Sequence, residues 1–155
     1  NSREYCVMSS TVRSTVAVPP LANDIVSGTL DGLRISPWLL KDRTVAVVVL
    51  SAALDPVVKA LCDRLGVEHY AGAPCELVGG RYTGRLSGPT PYAGRKAVVA
   101  ADFVARWKLD PAACYAYADH TTDLTLLRSV GHPVAVHPRP GLLEAARAAG
   151  WPVFP

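Results

Sequence analysis

The run Thr44-Val45-Ala46-Val47-Val48-Val49-Leu50 constrains the fold most. After Thr44 both alternating sets of side chains are apolar. A strand with one wet face would alternate apolar and polar residues. This one needs cover on both faces, as in a parallel sheet between helical layers. Asp55 and Pro56 follow as an expected N-cap and first helical residue, with Val57, Val58, Leu61 and Leu65 at helical spacing. Gly66 is the expected stop. The apolar stretch from Val45 to Leu54, interrupted only by Ser51, is far too short to cross a bilayer.

Strand and helix signals alternate through the rest of the chain. Val67 to Tyr70, Cys75 to Val78 and Arg81 to Leu86 read as short strands, and Gly79-Gly80 marks a hairpin. Gly94 to Trp107 reads as an amphipathic helix. A strand follows at Ala113 to Ala118, a helix at Thr121 to Val130, and a strand at Pro133 to Val136. The chain closes on a helix at Gly141 to Ala149 and a short strand at Pro152 to Phe154. Upstream, Thr15 to Val18 reads as a strand closed by Pro19-Pro20, and Ser36 as a cap before Pro37 and Trp38. The alternation predicts an α/β fold, a doubly wound parallel sheet with a small β-hairpin insertion. Residues 1–14 are mostly polar and aperiodic and are expected to be loosely held. Residues 15–155 are expected to form a single domain.

Half of the residues are hydrophobic and 19% are charged, which excludes a disordered chain. The net charge of +3 comes from scattered basic residues, so charge gives no reason to expect nucleic acid. No signal segment opens the chain, and Cys6, Cys62, Cys75 and Cys114 match no metal-binding spacing. Reduced thiols in the cytoplasm are the expectation, with no membrane association.

In such a fold, ligands sit beyond the carboxyl ends of the strands. That places Ser51, Asp119 and Asp123 at the candidate site. The residues there carry a resemblance. Ala116-Tyr117-Ala118-Asp119-His120-Thr121-Thr122-Asp123, then Leu126-Leu127 and Gly131 to Val136, resembles the fourth motif of haloacid dehalogenase-like phosphatases. The phosphoserine-phosphatase-like branch is the nearest. Val48-Val49-Leu50-Ser51 resembles the second motif, and Gly94-Arg95-Lys96 stands where the third-motif lysine is expected. The resemblance covers residues 44–155.

It implies the roles of these residues. Ser51 and Lys96 would hold phosphate, Asp119 would hold Mg²⁺, and Asp123 would support the lysine. Each has a plainer reading: a strand-end serine, a surface lysine, a helix cap at Asp119, and a first-turn acid at Asp123. His120 stands where a small residue is common, and reads as a base beside Asp119 or as an exposed loop residue. His69 and Cys75 read as a Cys–His pair or as unrelated neighbours in sequence. His132 and His137 read as structural.

The first motif departs from the family. There a strand ends in Asp-x-Asp, whose first residue is the nucleophile and whose second is the general acid and base. A register from Val16–Val18 puts Pro20 and Ala22 in these places, and one from Gly28-Thr29-Leu30 puts Ile25 and Ser27 there. Asp24 and Asp31 fall on neither nucleophile position. Few residues separate Gly28 from Ser51, so no helical cap is expected.

The resemblance therefore implies a haloacid dehalogenase-like protein with impaired or altered phosphohydrolase chemistry. It would bind a small phosphorylated or anionic metabolite, with weakened Mg²⁺ binding and room for a protein partner. The alternatives are an active Mg²⁺-dependent phosphatase with a non-standard nucleophile, or a non-catalytic binding or regulatory domain. The chain opens on Asn1, with Met8 as a candidate start, so a fragment lacking its true first motif is a further reading. The Ala-, Arg- and Val-rich composition points to a bacterial source.

Overall fold

A computed structural model describes residues 5–9 and 45–154; for residues 5–9 and Val45 it describes the backbone alone. The elements are β1 (Tyr5–Ser9), β2 (Val45–Leu54), α1 (Asp55–Leu65), β3 (His69–Ala73), β4 (Cys75–Val78), β5 (Arg81–Leu86), α2 (Gly94–Trp107), β6 (Tyr115–Ala118), α3 (Leu124–Leu127), β7 (His132–Val136), α4 (Pro140–Ala149) and β8 (Val153–Phe154). Six strands form one sheet in the order β3-β2-β1-β6-β7-β8. Every neighbouring pair in it is parallel. This is the expected α/β parallel sheet, and β4 and β5 form the expected separate antiparallel hairpin.

The apolar run of β2 divides between the two faces, as its pattern requires. Ala46, Val48 and Leu50 pack with Phe103 and Val104 of α2, Leu126 and Leu127 of α3, and Leu142 of α4. Val47 and Val49 point the other way, into a cluster with Val58, Cys62 and Leu65 of α1 and with Tyr117, Val134 and Val136. Val48, Leu50 and Val58 are fully buried. Each such side chain contributes roughly 1.5–3 kcal/mol of hydrophobic stabilisation.

The local signals shape the loops around this core. Gly66 ends α1 in the left-handed region at φ 72°. The Val67 N–H then closes that end on the carbonyl of Cys62 at 2.9 Å, so β3 begins at His69, later than the sequence suggests. Gly79 and Gly80 have φ of 58° and 77°. Two successive positive φ values are what a tight type I′ hairpin turn needs.

Several expectations are corrected. The first concerns residues 1–14: Tyr5–Ser9 is not loosely held backbone but a strand paired on both sides, with β2 and with β6. Tyr5-Cys6-Val7-Met8 is a continuous apolar run of the kind that suits a strand covered on both faces, but it is short and flanked by polar residues. Its order comes from ladder hydrogen bonds on two sides, which local sequence does not encode. The strand expected at Thr15–Val18 and the cap at Ser36 lie outside the described residues. So do Pro20, Ala22, Ile25 and Ser27, the four positions assigned to the first motif.

Asp55 is not the N-cap of α1. Leu54 takes that place without a side-chain hydrogen bond, and Asp55 Oδ1 instead accepts the N–H of Gly72 at 3.1 Å. The expected strand from Ala113 starts at Tyr115, because Asp110 caps a short 3₁₀ turn over Pro111–Ala113 by accepting the Ala112 N–H at 2.9 Å. The expected helix from Thr121 to Val130 is a 3₁₀ turn, Thr121–Asp123, followed by the single turn α3. Ser129 Oγ donates to the carbonyl of Leu126 at 2.7 Å, and the Gly131 N–H is bound to the carbonyl of Pro111 at 2.9 Å. Both bonds draw the chain out of the helix and into β7.

Candidate anion-binding site

The sheet order marks the edge at which folds of this kind usually take ligands. From the central strand β1 the chain builds β2 and β3 to one side and β6, β7 and β8 to the other. The crevice at such a switch point, beyond the carboxyl ends of the strands, is the usual ligand position. Ser9 at the end of β1 pairs with Val49 on one side and Tyr117 on the other. Ser51 and Asp119 each lie two residues beyond those partners, so the same edge carries both.

Lys96 is in the first turn of α2 and Asp123 ends the 3₁₀ turn after β6. Their side chains meet with Nζ 2.7 Å from Oδ1, and only 6% and 2% of their respective surfaces are exposed. Lys96 is therefore not a surface lysine, and Asp123 is not a solvated first-turn acid. Oδ1 of Asp123 nevertheless takes no hydrogen bond. Among the described residues, the Lys96 ammonium is therefore the group that holds this oxygen. A charge pair this far from water is costly to assemble and costly to break.

Ser51 is buried, and its Oγ accepts the N–H of Ala53 at 3.1 Å. That bond uses a lone pair and leaves the hydroxyl proton to donate. Asp119 is half-buried at the end of β6, and its carbonyl accepts the N–H of Arg139, the residue before α4. α4 is thereby tied to the loop that carries Asp119.

His120 caps the 3₁₀ turn. The N–H of Thr122 donates to its Nδ1 at 3.2 Å. That hydrogen bond occupies the Nδ1 lone pair, so Nδ1 is not available as the base expected beside Asp119. His69 packs on Trp107 with ring centroids 4.6 Å apart, at the start of β3, while Cys75 follows that strand and donates to the carbonyl of Ala73 at 3.7 Å. Six residues of mostly extended chain, roughly 20 Å, separate the two positions along the chain path, so the strand carries the two side chains apart rather than together. His132 stacks on Tyr115 at 4.4 Å.

The described residues fit a magnesium site only in part. Mg²⁺ is usually held by one or two carboxylates together with phosphate and water. Asp119 supplies one carboxylate, and that of Asp123 is engaged by Lys96. Among the described residues there is no group of three or more metal-ligating side chains. They also include no helix long and apolar enough to cross a membrane.

Two features at this site gave no clear sequence signal. One is the clasp between Asp55 and Gly72, which fixes the segment after Ser51 against the end of β3. The other is Ala93, held at φ 49° and ψ −132° just before the helix that carries Lys96.

Comparison with known proteins agrees with this fold. The model of the haloacid dehalogenase-like hydrolase family matches residues 34–128, more than half of the chain. A protein of Mycobacterium tuberculosis named as a probable phosphatase is 36% identical over 108 residues, covering 70% of this chain and 37% of its own length. A phosphoserine phosphatase of the same organism is 31% identical over 123 residues, covering 79% of this chain and 40% of its own. A Bordetella pertussis protein of unknown function, solved as a crystal structure, superposes with a TM-score of 0.64 at 32% identity, covering 70% of this chain and 50% of that one. The chain thus spans about two fifths of the curated relatives it matches. It belongs to the haloacid dehalogenase-like hydrolase family, with its likeness on the phosphoserine-phosphatase side.

Proposed function

We propose that this chain binds a small phosphorylated or otherwise anionic metabolite at the edge formed by Ser51, Lys96, Asp119 and Asp123, with impaired or altered phosphohydrolase chemistry. The observation that carries the reading is the buried Lys96–Asp123 pair at 2.7 Å. A lysine held this far from water, at the carboxyl edge of a parallel sheet, has its charge set to meet an anion. Ser51 supplies a neutral donor, and Asp123 orients the lysine.

The reason for altered chemistry lies in the sequence after β1. The family nucleophile belongs at the end of the central strand. From Ser10 to Asn23 the chain carries no Asp or Glu, and the first carboxylate is Asp24. Hydrolysis through an aspartyl-phosphate would need a carboxylate there. Asp119 would take Mg²⁺ when one binds, with phosphate and water completing the shell.

A second reading, an active metal-dependent phosphatase with a non-standard nucleophile, is favoured by the names of the curated relatives. One experiment separates the two. Hydrolysis of an aryl phosphate and a panel of small phosphate esters is followed with Mg²⁺ and with EDTA, in wild type and Asp119→Asn. Inorganic phosphate binding is measured by calorimetry in wild type and Ser51→Ala. Saturable phosphate binding weakened in Ser51→Ala, with turnover at background, is the expected result. Metal-dependent turnover lost in Asp119→Asn would overturn the impaired-chemistry reading, and absence of phosphate binding would overturn the pocket.

A further inference from the structure

We infer that His120 is a positioning residue: its imidazole fixes the turn that brings Asp123 onto Lys96. The Thr122 N–H donates to Nδ1 at 3.2 Å, and Thr122 Oγ1 lies 3.2 Å from the same nitrogen. The main chain of His120 holds the far end of the turn, since the Asp123 N–H donates to its carbonyl at 3.1 Å. His120 itself is extended, at φ −130° and ψ 150°, as a capping residue must be. An Nδ1 that accepts a backbone N–H carries no proton, so the neutral ring has its proton on Nε2.

The turn needs this help. Thr121–Asp123 is a single 3₁₀ turn, too short to be stable alone. Apart from the Lys96 ammonium, no group among the described residues holds Asp123 Oδ1 either. The position of that oxygen therefore depends on the path of the turn and on the charge of Lys96. Removing the cap loosens the turn, and the carboxylate moves relative to the lysine. A purely local cap would act on the turn and leave the ion pair unaffected.

The difference is measurable as coupling. The substitutions are His120→Ala, which removes the acceptor, and His120→Asn, whose side-chain oxygen occupies the place of Nδ1. Each is made in wild type and in a Lys96→Met, Asp123→Asn background, and stability is read by urea denaturation. In wild type, His120→Ala is expected to lower the folding equilibrium constant about fivefold, the effect of losing a helix cap, and His120→Asn to restore most of it. In the pair-free background the effect of His120→Ala is expected to shrink to less than twofold. Equal effects in both backgrounds would overturn the inference, because additive changes mean that the cap and the ion pair are independent. Failure of His120→Asn to rescue would overturn the role of Nδ1.

A second arm uses inorganic phosphate and rests on the proposed pocket. There His120→Ala is expected to weaken binding several-fold, and His120→Asn to bind within twofold of wild type. Loss of phosphate binding in wild type as well would count against the pocket alone, since the coupling measurement needs no ligand. Wild-type affinity retained in His120→Ala would overturn the positioning of the site.

Discussion

Lys96 and Asp123 come from elements 27 positions apart in sequence, and their charged atoms lie 2.7 Å apart with almost no exposure to water. Neither would be tolerated there alone. Lys96→Met leaves Asp123 as a buried, uncompensated carboxylate and is expected to cost about 3–5 kcal/mol of stability. The double change Lys96→Met with Asp123→Asn removes both charges and is expected to recover most of that loss. Urea denaturation of the three proteins measures it. A single substitution no worse than the double one would mean that Asp123 is stabilised by something other than Lys96.

Asp55 makes a different kind of link. Its carboxylate accepts the N–H of Gly72 at 3.1 Å, joining the start of α1 to β3. Gly72 itself admits no side chain: a Cβ there would lie 2.6 Å from the Asp55 Cα. Asp55→Ala is expected to cost about 1.5–3 kcal/mol, the range for a hydrogen bond to a charged group. Gly72→Ala is expected to cost more, since the backbone of Asp55 must move. Thermal unfolding ranks the two, and the reverse order would show that the contact can open freely.

These two relationships show what was legible in the sequence. The apolar run Val45–Leu50 announced a strand buried on both faces, because cover on two sides leaves a pattern within a few residues. The hairpin and α2 were equally plain, marked by Gly79-Gly80 and by helical periodicity ending at Trp107. The site residues Ser51, Lys96, Asp119 and Asp123 were named from motif resemblance, and the structure brings Lys96 and Asp123 into contact. Their burial could not be read locally, since it depends on α2 packing against the turn after β6. Tyr5–Ser9 carries a four-residue apolar run too brief to stand out from its polar flanks, and its order is completed by β2 and β6, which lie far along the chain. Asp55 reads as a cap because Asp before Pro is a common helix start. The approach of Gly72 gave its carboxylate another partner.

Ala93 occupies backbone space that favours glycine. Its φ of 49° and ψ of −132° match the first central position of a type II′ turn, and the Arg95 N–H closes that turn on the carbonyl of Tyr92 at 3.1 Å. A methyl group is strained there by about 1–3 kcal/mol. Ala93→Gly relieves the strain while adding some freedom to the unfolded chain. A net gain of about 1 kcal/mol is expected, seen as a rise in Tm of roughly 2–4 °C. Since Ala93 immediately precedes the helix that carries Lys96, phosphate binding should be recorded with it. A fall in Tm would mean that the turn relaxes without strain.

The alkaline limit of stability is set in part by Cys62 and Tyr117. Burial pushes the Cys62 thiol up to about 11, with the nearby Asp63 charge adding to it, and Cys62 is fully buried against the sheet. Burial also raises the Tyr117 phenol, with Tyr115 contributing. In both cases the folded protein holds its proton more tightly than the unfolded chain. The stabilisation is therefore complete below the unfolded thiol value near 9.0 and falls away as pH rises toward 11. For Cys62 a shift of this size corresponds to roughly 2–3 kcal/mol. Urea denaturation between pH 8 and about 11 is expected to show stability declining across that window. Cys62→Ala should be less stable than wild type at pH 8 because it leaves a cavity, yet show a shallower decline. Tyr117→Phe should flatten the upper part of the same curve. Parallel pH profiles for wild type and Cys62→Ala would mean that the thiol ionises in the folded state without penalty, and that the cluster around α1 admits water.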